Sequence, residues 1–216
     1  MKSKSGDRAR TAVVFDFDGT LIDTAEIKID NYVQAVERIF GTGIGDREII
    51  RASSRRTYGA NRFVQLADTL TSLGLEATDD QKESWSRLYS SLNSKAMIDV
   101  PEFPSVREVL RELKDTGFFL FAASGVLEEE FLGEMTRRKL LDFFIEAKGG
   151  DKLGFLRSLR ERGFRTILFV GDTEFDRRTA EEAGVRFYKV EQDSDIRVLF
   201  RYVISLQEKI WGDVGS

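Results

Sequence analysis

Two aspartates separated by one residue follow the first apolar run of the sequence. The run at 12–15 has the composition of a buried strand, and it leads into Asp16, Phe17, Asp18 and Gly19. In an extended chain, residues i and i+2 lie on one face roughly 6–7 Å apart, so these carboxylates repel unless they share a cation or a proton. Mg²⁺ relieves such repulsion because it binds through one or two carboxylates together with substrate phosphate. The stretch therefore predicts a carboxylate–metal–phosphate site at a sheet edge, the alternative being a plain acidic turn.

Three later segments carry polar residues that could join such a site. Each segment follows an apolar run or opens a helical pattern, and their polar residues are Ser124 with Gly125, Lys152, and Asp172 with Asp176. They offer a hydroxyl and a helix start for an anion, one positive charge, and two further carboxylates for a cation. The four segments together favour a site that handles phosphate.

Taken in order, the four segments resemble the motifs of the haloacid dehalogenase-like hydrolase superfamily, in particular its phosphatase branch. They are Asp16-Phe17-Asp18-Gly19-Thr20-Leu21, Ala122-Ala123-Ser124-Gly125, Lys152, and Gly171-Asp172-Thr173-Glu174-Phe175-Asp176. The resemblance covers nearly the whole chain after the polar N-terminus and is nearest to the phosphoglycolate phosphatase and β-phosphoglucomutase group. One departure is Leu153, because many capped members have proline after this lysine.

The resemblance implies roles in phosphoryl transfer for the acidic residues. Asp16 is the expected nucleophile, which forms an aspartyl phosphate, and Asp18 is the expected general acid and base. Members that displace halide lack the second aspartate, so Asp18 favours phosphate chemistry. Mg²⁺ is the expected cofactor, and its expected ligands are Asp16, Asp18, Asp172 and Asp176. Asp18 would contribute its backbone carbonyl, and Asp176 would act through water or orient Lys152.

The expected phosphate-binding residues are Gly19, Thr20, Ser124, Gly125 and Lys152. Glycine allows backbone N–H groups to approach a phosphate closely, and Ser124 could also cap the helix that begins near 127. Lys152 would pair with the phosphate and with Asp16. Lys148 is a rival four residues earlier, and we favour Lys152 because it directly precedes a helix.

The composition excludes several other kinds of site. The 216 residues include no cysteine and no histidine, which removes disulfides, Cys/His zinc sites, Ser-His-Asp triads and cysteine nucleophiles. A net charge of −4 argues against nucleic acid as a partner. Residues 1–10 are charged and lack the apolar core of a secretory signal, and no run is long enough to cross a bilayer. We therefore expect a cytoplasmic protein with no membrane partner.

Strand and helix patterns alternate over most of the sequence. Strands are predicted at 12–17, 118–123, 143–147, 166–171 and 186–190, with helical spacing between them and a C-terminal helix at 195–211. This alternation predicts an α/β fold, namely a three-layer parallel-sheet, Rossmann-like core of the kind the resemblance implies.

The stretch from 24 to 99 has no convincing strand and predicts three helices. The family carries helical caps at this point, so we expect a helical-bundle cap at 24–99 inserted into a core formed by 11–23 and 100–216. The cap should choose the substrate, and the residues expected to reach the leaving group are Arg55, Arg56 and Tyr58.

These residues predict a Mg²⁺-dependent phosphatase that hydrolyses a small phosphorylated metabolite of the phosphoglycolate or sugar-phosphate type. A mutase of the β-phosphoglucomutase type would use the same core residues and is the first alternative. A non-catalytic binding protein on the same fold is the second. Either a monomer or a homodimer fits the sequence.

Overall fold

The computed structural model describes residues 10–164 and 166–212, and it contains the parallel sheet that the sequence predicts. The strands are β1 (Thr11–Phe15), β2 (Phe119–Ser124), β3 (Glu146–Gly149), β4 (Thr166–Gly171) and β5 (Arg186–Lys189). Their order across the sheet is β3-β2-β1-β4-β5, with every pair parallel. The predicted α/β class is confirmed, and β1 lies at the centre of the sheet.

Nine α-helices occur within the described residues. They are α1 (Ala25–Phe40), α2 (Arg47–Arg56), α3 (Arg62–Leu73), α4 (Asp79–Ala96), α5 (Val106–Asp115), α6 (Glu128–Arg137), α7 (Lys152–Glu161), α8 (Glu174–Ala183) and α9 (Asp193–Gly212). None of these helices is long and apolar enough to cross a membrane. Most of the charged N-terminal segment and the last four residues of the predicted core lie outside the described residues.

Both faces of the sheet are covered, because the strand side chains alternate between two hydrophobic cores. In β1, Val13 and Phe15 pack into the core beneath α5, α6 and α9, whereas Ala12 and Val14 pack into the core beneath α7 and α8. All four side chains are at most 2 % exposed. The resulting three layers fix β1 and the residues that follow it.

Helices α1 to α4 surround a separate hydrophobic core. Tyr32, Trp85 and Tyr89 lie at its centre, and the Trp85 and Tyr89 rings stack with their centroids 5.4 Å apart. The sequence predicted three helices in this stretch, and α2 is the one it missed. Only Ile50 among the apolar residues of α2 is buried, so an apolar stripe was too narrow to reveal the helix.

Two predicted strands differ from the structure by two or more residues at an end, and the others agree to within one residue. The strand predicted at 143–147 begins three residues later, because Leu141–Phe143 forms a 3₁₀ turn before it. The first strand ends at Phe15 and not at 17, because the chain turns there and the Leu21 N–H donates to the Phe17 carbonyl at 2.9 Å. This early turn moves the two aspartates off the strand.

Candidate active site

Parallel pairing brings the ends of three strands to one edge of the sheet. Phe15 lies opposite Ala122 of β2 and Val170 of β4, so the residues that follow each strand are neighbours. The Asp16 N–H donates to the Val170 carbonyl at 2.8 Å, which extends the pairing by one residue. Asp16, Ser124 and Asp172 consequently meet at the carboxyl edge of the sheet, where α/β proteins bind ligands.

A buried lysine joins two of the carboxylates at this edge. Lys152 is the first residue of α7, and its Nζ lies 2.8 Å from Asp16 Oδ1 and 2.7 Å from Asp176 Oδ1. Burial alone would lower the pKa of Lys152, but the neighbouring carboxylates outweigh it and raise the pKa above its usual value. Lys148 instead lies on β3, exposed, where it pairs with Glu128 at 2.5 Å. The structure thus places Lys152 in the site and Lys148 outside it.

Three carboxylates lie close enough together to hold one cation. Oxygens of Asp16, Asp172 and Asp176 fall within 4.8 Å of one another. Burial, followed by repulsion from Asp176, raises the pKa of Asp172 to about 7. Burial also raises the pKa of Asp16, against the opposing effect of Lys152. The cluster has more negative charge than Lys152 balances, and oxygen donors of this kind fit Mg²⁺.

The two oxygens of Asp176 already have partners. Oδ1 accepts from Lys152, and Oδ2 accepts from the Thr173 hydroxyl at 2.5 Å and the Thr173 N–H at 3.2 Å. Thr173 is the N-cap of α8, and Asp176 completes its capping box. The Asp172 carboxylate therefore takes no part in capping α8, whereas Asp176 is positioned to orient Lys152.

Asp18 faces a different neighbourhood. Its carboxylate accepts a hydrogen bond from the Thr24 hydroxyl at 2.9 Å and forms an ion pair with Lys28 in the first turn of α1. Thr24 and Lys28 are both buried. The sequence analysis assigned no role to Lys28. The sequence signal that could have indicated this role is that Lys28 lies four residues, or about one helical turn, after Thr24.

Each of the loops after β1 and β2 has one position, Gly19 and Gly125 respectively, where only glycine fits. Gly19 has φ +76°, and a Cβ at this position would overlap the Asp172 carboxylate. A Cβ on Gly125 would approach the Gly59 and Ala60 carbonyl oxygens to 2.7 and 3.2 Å. Residues 59–60 therefore pack directly on the loop that carries Ser124.

A cleft separates helices α1 to α4 from this edge of the sheet. Asp16, Asp18, Ser124, Gly125 and Lys152 line it from below. Residues 28–97 and α6 supply the remaining walls, mainly through Lys28, Tyr58, Gly59, Ala60, Arg62, Gln65, Tyr89, Asn93, Ser94, Met97, Glu130, Phe131 and Glu134. The side of the cleft formed by the sheet edge, its floor, is thus charged. Most residues of the opposite side, its roof, are uncharged.

Of the three residues expected to reach the leaving group, only Tyr58 lines this cleft. Arg55 and Arg56 are more than half exposed and pair elsewhere, Arg55 with Glu26 at 3.0 Å and Arg56 with Asp68 at 2.5 Å. They lie in the last turn of α2 and complement its dipole. The arginine that lines the cleft is Arg62, which the sequence analysis did not select.

Comparison with known proteins identifies relatives over most of the chain. The family described as haloacid dehalogenase-like hydrolase matches residues 13–190. The phosphoglycolate phosphatase of Rhodobacter capsulatus is 28% identical over 189 residues, 82% of this chain and 82% of that protein. The phosphoglycolate phosphatase of Vibrio vulnificus is 23% identical over 80% of this chain and 79% of that protein. A hydrolase from Pseudomonas syringae shares the fold, with a TM-score of 0.68 and 20% identity over 85% of this chain and 95% of its own.

Proposed function

The chain belongs to the haloacid dehalogenase-like hydrolase family and is a phosphatase of that family, and we propose that it hydrolyses a small phosphorylated metabolite with the help of Mg²⁺. The observation that carries the proposal is the meeting of Asp16, Asp172, Lys152 and Ser124 at one edge of the sheet. A phosphoryl group needs a nucleophile, positive charge and hydrogen-bond donors, and this edge offers all three.

Mg²⁺ would be held by Asp16, Asp172 and the backbone carbonyl of Asp18. The excess negative charge of the carboxylate cluster supports this assignment. When bound, the cation neutralises charge on the transferring phosphoryl group. Asp176 would act on Lys152, since both of its oxygens are engaged by protein donors.

Asp16 would attack phosphorus as the bond between phosphorus and the leaving oxygen breaks. Lys152 and the Ser124 hydroxyl, with backbone N–H groups of the glycine loops, would hold the phosphoryl oxygens. Asp18 would give its proton to the leaving oxygen. It would then take a proton from the water that attacks the aspartyl phosphate, and inorganic phosphate would leave as Asp16 is regenerated.

Helices α1 to α4, within the stretch 24–99, would act as the cap of this site. They cover the cleft, and Lys28 reaches from α1 to the Asp18 carboxylate. A cover of this kind excludes bulk water and bulky macromolecules. Lys28 would also stabilise the Asp18 carboxylate that remains after proton donation.

The proposal is tested by phosphate release from p-nitrophenyl phosphate by metal-free protein with and without added Mg²⁺. Activity should require Mg²⁺ and disappear in chelator, and acid-quenched enzyme should carry phosphate on Asp16 by mass spectrometry. Asp16→Asn should show neither, whereas the exposed Asp115→Asn should behave as wild type. Full activity in chelator would contradict the proposed site, and a requirement for a bisphosphate activator would indicate a mutase.

A further inference from the structure

Each of the three cations that line the cleft already has a carboxylate partner in the protein. Lys152 pairs with Asp16 and Asp176, and Lys28 pairs with Asp18. The third is Arg62 of α3, whose Nη2 lies 2.5 Å from Glu130 Oε2 of α6. Among the described residues that line the cleft, no cation remains for a second anion besides the transferring phosphate.

The Arg62–Glu130 pair is held firmly at both ends. Arg62 is only 4 % exposed, and its Nη1 donates to the Ser90 hydroxyl at 2.6 Å. The same Ser90 hydroxyl donates to the other oxygen of Glu130 at 2.6 Å, and the guanidinium stands over the Tyr89 ring. An anionic leaving group would have to compete with Glu130 for the Arg62 guanidinium. If it succeeded, the Glu130 carboxylate would lie unpaired beside a second negative charge. This exchange is costly because Arg62 is buried, although Glu130 is partly exposed.

Most other side chains on the roof of the cleft, which would face the leaving group of a substrate, are neutral. Gln65, Asn93 and Ser94 line it, and the Glu134 carboxylate beside them is paired with Arg137 at 2.7 Å and Arg138 at 3.3 Å. Of the four buried side-chain atoms that lack a hydrogen-bond partner among the described residues, two belong to residues that line the cleft, namely the Tyr58 hydroxyl and Arg62 Nε. A hydroxyl-bearing leaving group can bond with the amide and hydroxyl side chains of Gln65, Asn93 and Ser94 without disturbing Glu130.

We propose that the substrate is a phosphate monoester of a neutral, hydroxyl-bearing alcohol, and that a leaving group with a carboxylate or a second phosphate is disfavoured. The inference rests on the proposed function and narrows the proposed substrate class to the phosphates of polyols or sugars. It separates this chain from relatives that are named for phosphoglycolate. Glu130 is the residue that sets this preference.

The direct test compares 2-hydroxyethyl phosphate with phosphoglycolate, which differ only in a hydroxymethyl group against a carboxylate. Wild type with Mg²⁺ should show a kcat/KM at least about tenfold higher for 2-hydroxyethyl phosphate, the size expected for one unfavourable charged contact. An equal or higher value for phosphoglycolate would overturn the inference while leaving the phosphatase intact. Hydrolysis of neither ester, nor of p-nitrophenyl phosphate, would overturn the proposed function and the inference with it.

Glu130→Gln tests the residue itself. Releasing Arg62 should raise kcat/KM for phosphoglycolate relative to 2-hydroxyethyl phosphate by about tenfold. Glu129→Gln is the matched control, because it removes the same charge from an exposed neighbour outside the cleft and should leave the ratio unchanged. The double variant Arg62→Gln with Glu130→Gln should lose the gain. A gain that survives without Arg62, or one equally large in Glu129→Gln, would overturn the role of the pair.

Discussion

Asp172→Asn should stabilise the metal-free protein at pH 8 while removing its response to Mg²⁺. Burial and repulsion from Asp176 raise the pKa of Asp172 from 3.8 to about 7, so the folded state binds a proton more tightly than the unfolded chain. The free energy of unfolding therefore falls as pH rises from about 4 to about 7, and the deficit persists above pH 7. The shift corresponds to at most about 4 kcal/mol, because this side chain is partly exposed.

Urea unfolding of chelator-treated protein at pH 4 and pH 8 measures this effect. The variant should exceed wild type at pH 8, and the difference should shrink towards pH 4, where both side chains are neutral. Asp115→Asn, on the exposed end of α5, controls for the loss of a surface carboxylate. Added Mg²⁺ should stabilise wild type and not Asp172→Asn. If the variant is less stable than wild type at pH 8, the charge of Asp172 does not destabilise the metal-free fold. If Mg²⁺ stabilises both proteins equally, the carboxylate cluster is not the cation site.

Five further substitutions test the remaining assignments. Asp16→Asn should abolish turnover with the circular dichroism spectrum retained, because the nucleophile is lost at nearly constant volume. Lys152→Ala should lower kcat at least about 100-fold, whereas Lys148→Ala should stay within about twofold of wild type. Lys28→Met should lower kcat about 10- to 100-fold for phenyl phosphate and less for p-nitrophenyl phosphate, whose leaving group needs no proton. Arg55→Ala, outside the cleft, should leave KM unchanged for every ester; a rise for one ester alone would contradict its placement.

The floor of the site was accessible from sequence because each of its residues adjoins a local signal. Asp16 and Asp172 follow apolar runs, and Lys152 opens a helix, so strand order alone brings them to one edge. Parallel pairing fixes the register, and little else is needed to place them. The sequence left two roles open for Asp176, a metal ligand through water or a partner that orients Lys152, and its contacts with Thr173 and Lys152 favour the second.

The roof of the site could not be predicted in the same way. Arg55, Arg56 and Arg62 cannot be told apart from the sequence. The position of each side chain depends on which carboxylate it pairs with. Arg55 and Arg56 pair at the surface with acidic residues of α1 and α3, whereas Arg62 pairs with Glu130 of α6, which is 68 residues away in the sequence. Such pairings are set by helix packing, which the spacing of charges along one helix does not determine.

Lys28 of α1 and Arg62 of α3 each pair with a carboxylate that lies outside helices α1 to α4. Their partners are Asp18 and Glu130 respectively. A motion that moved α1 and α3 away from these carboxylates would separate both pairs. The loop at 59–60 packs on Gly125 in the same arrangement, since a Cβ on Gly125 would lie 2.7 Å from the Gly59 carbonyl oxygen. As the proposed cap, helices α1 to α4 would then contribute to the charge balance of the site as well as to the choice of substrate.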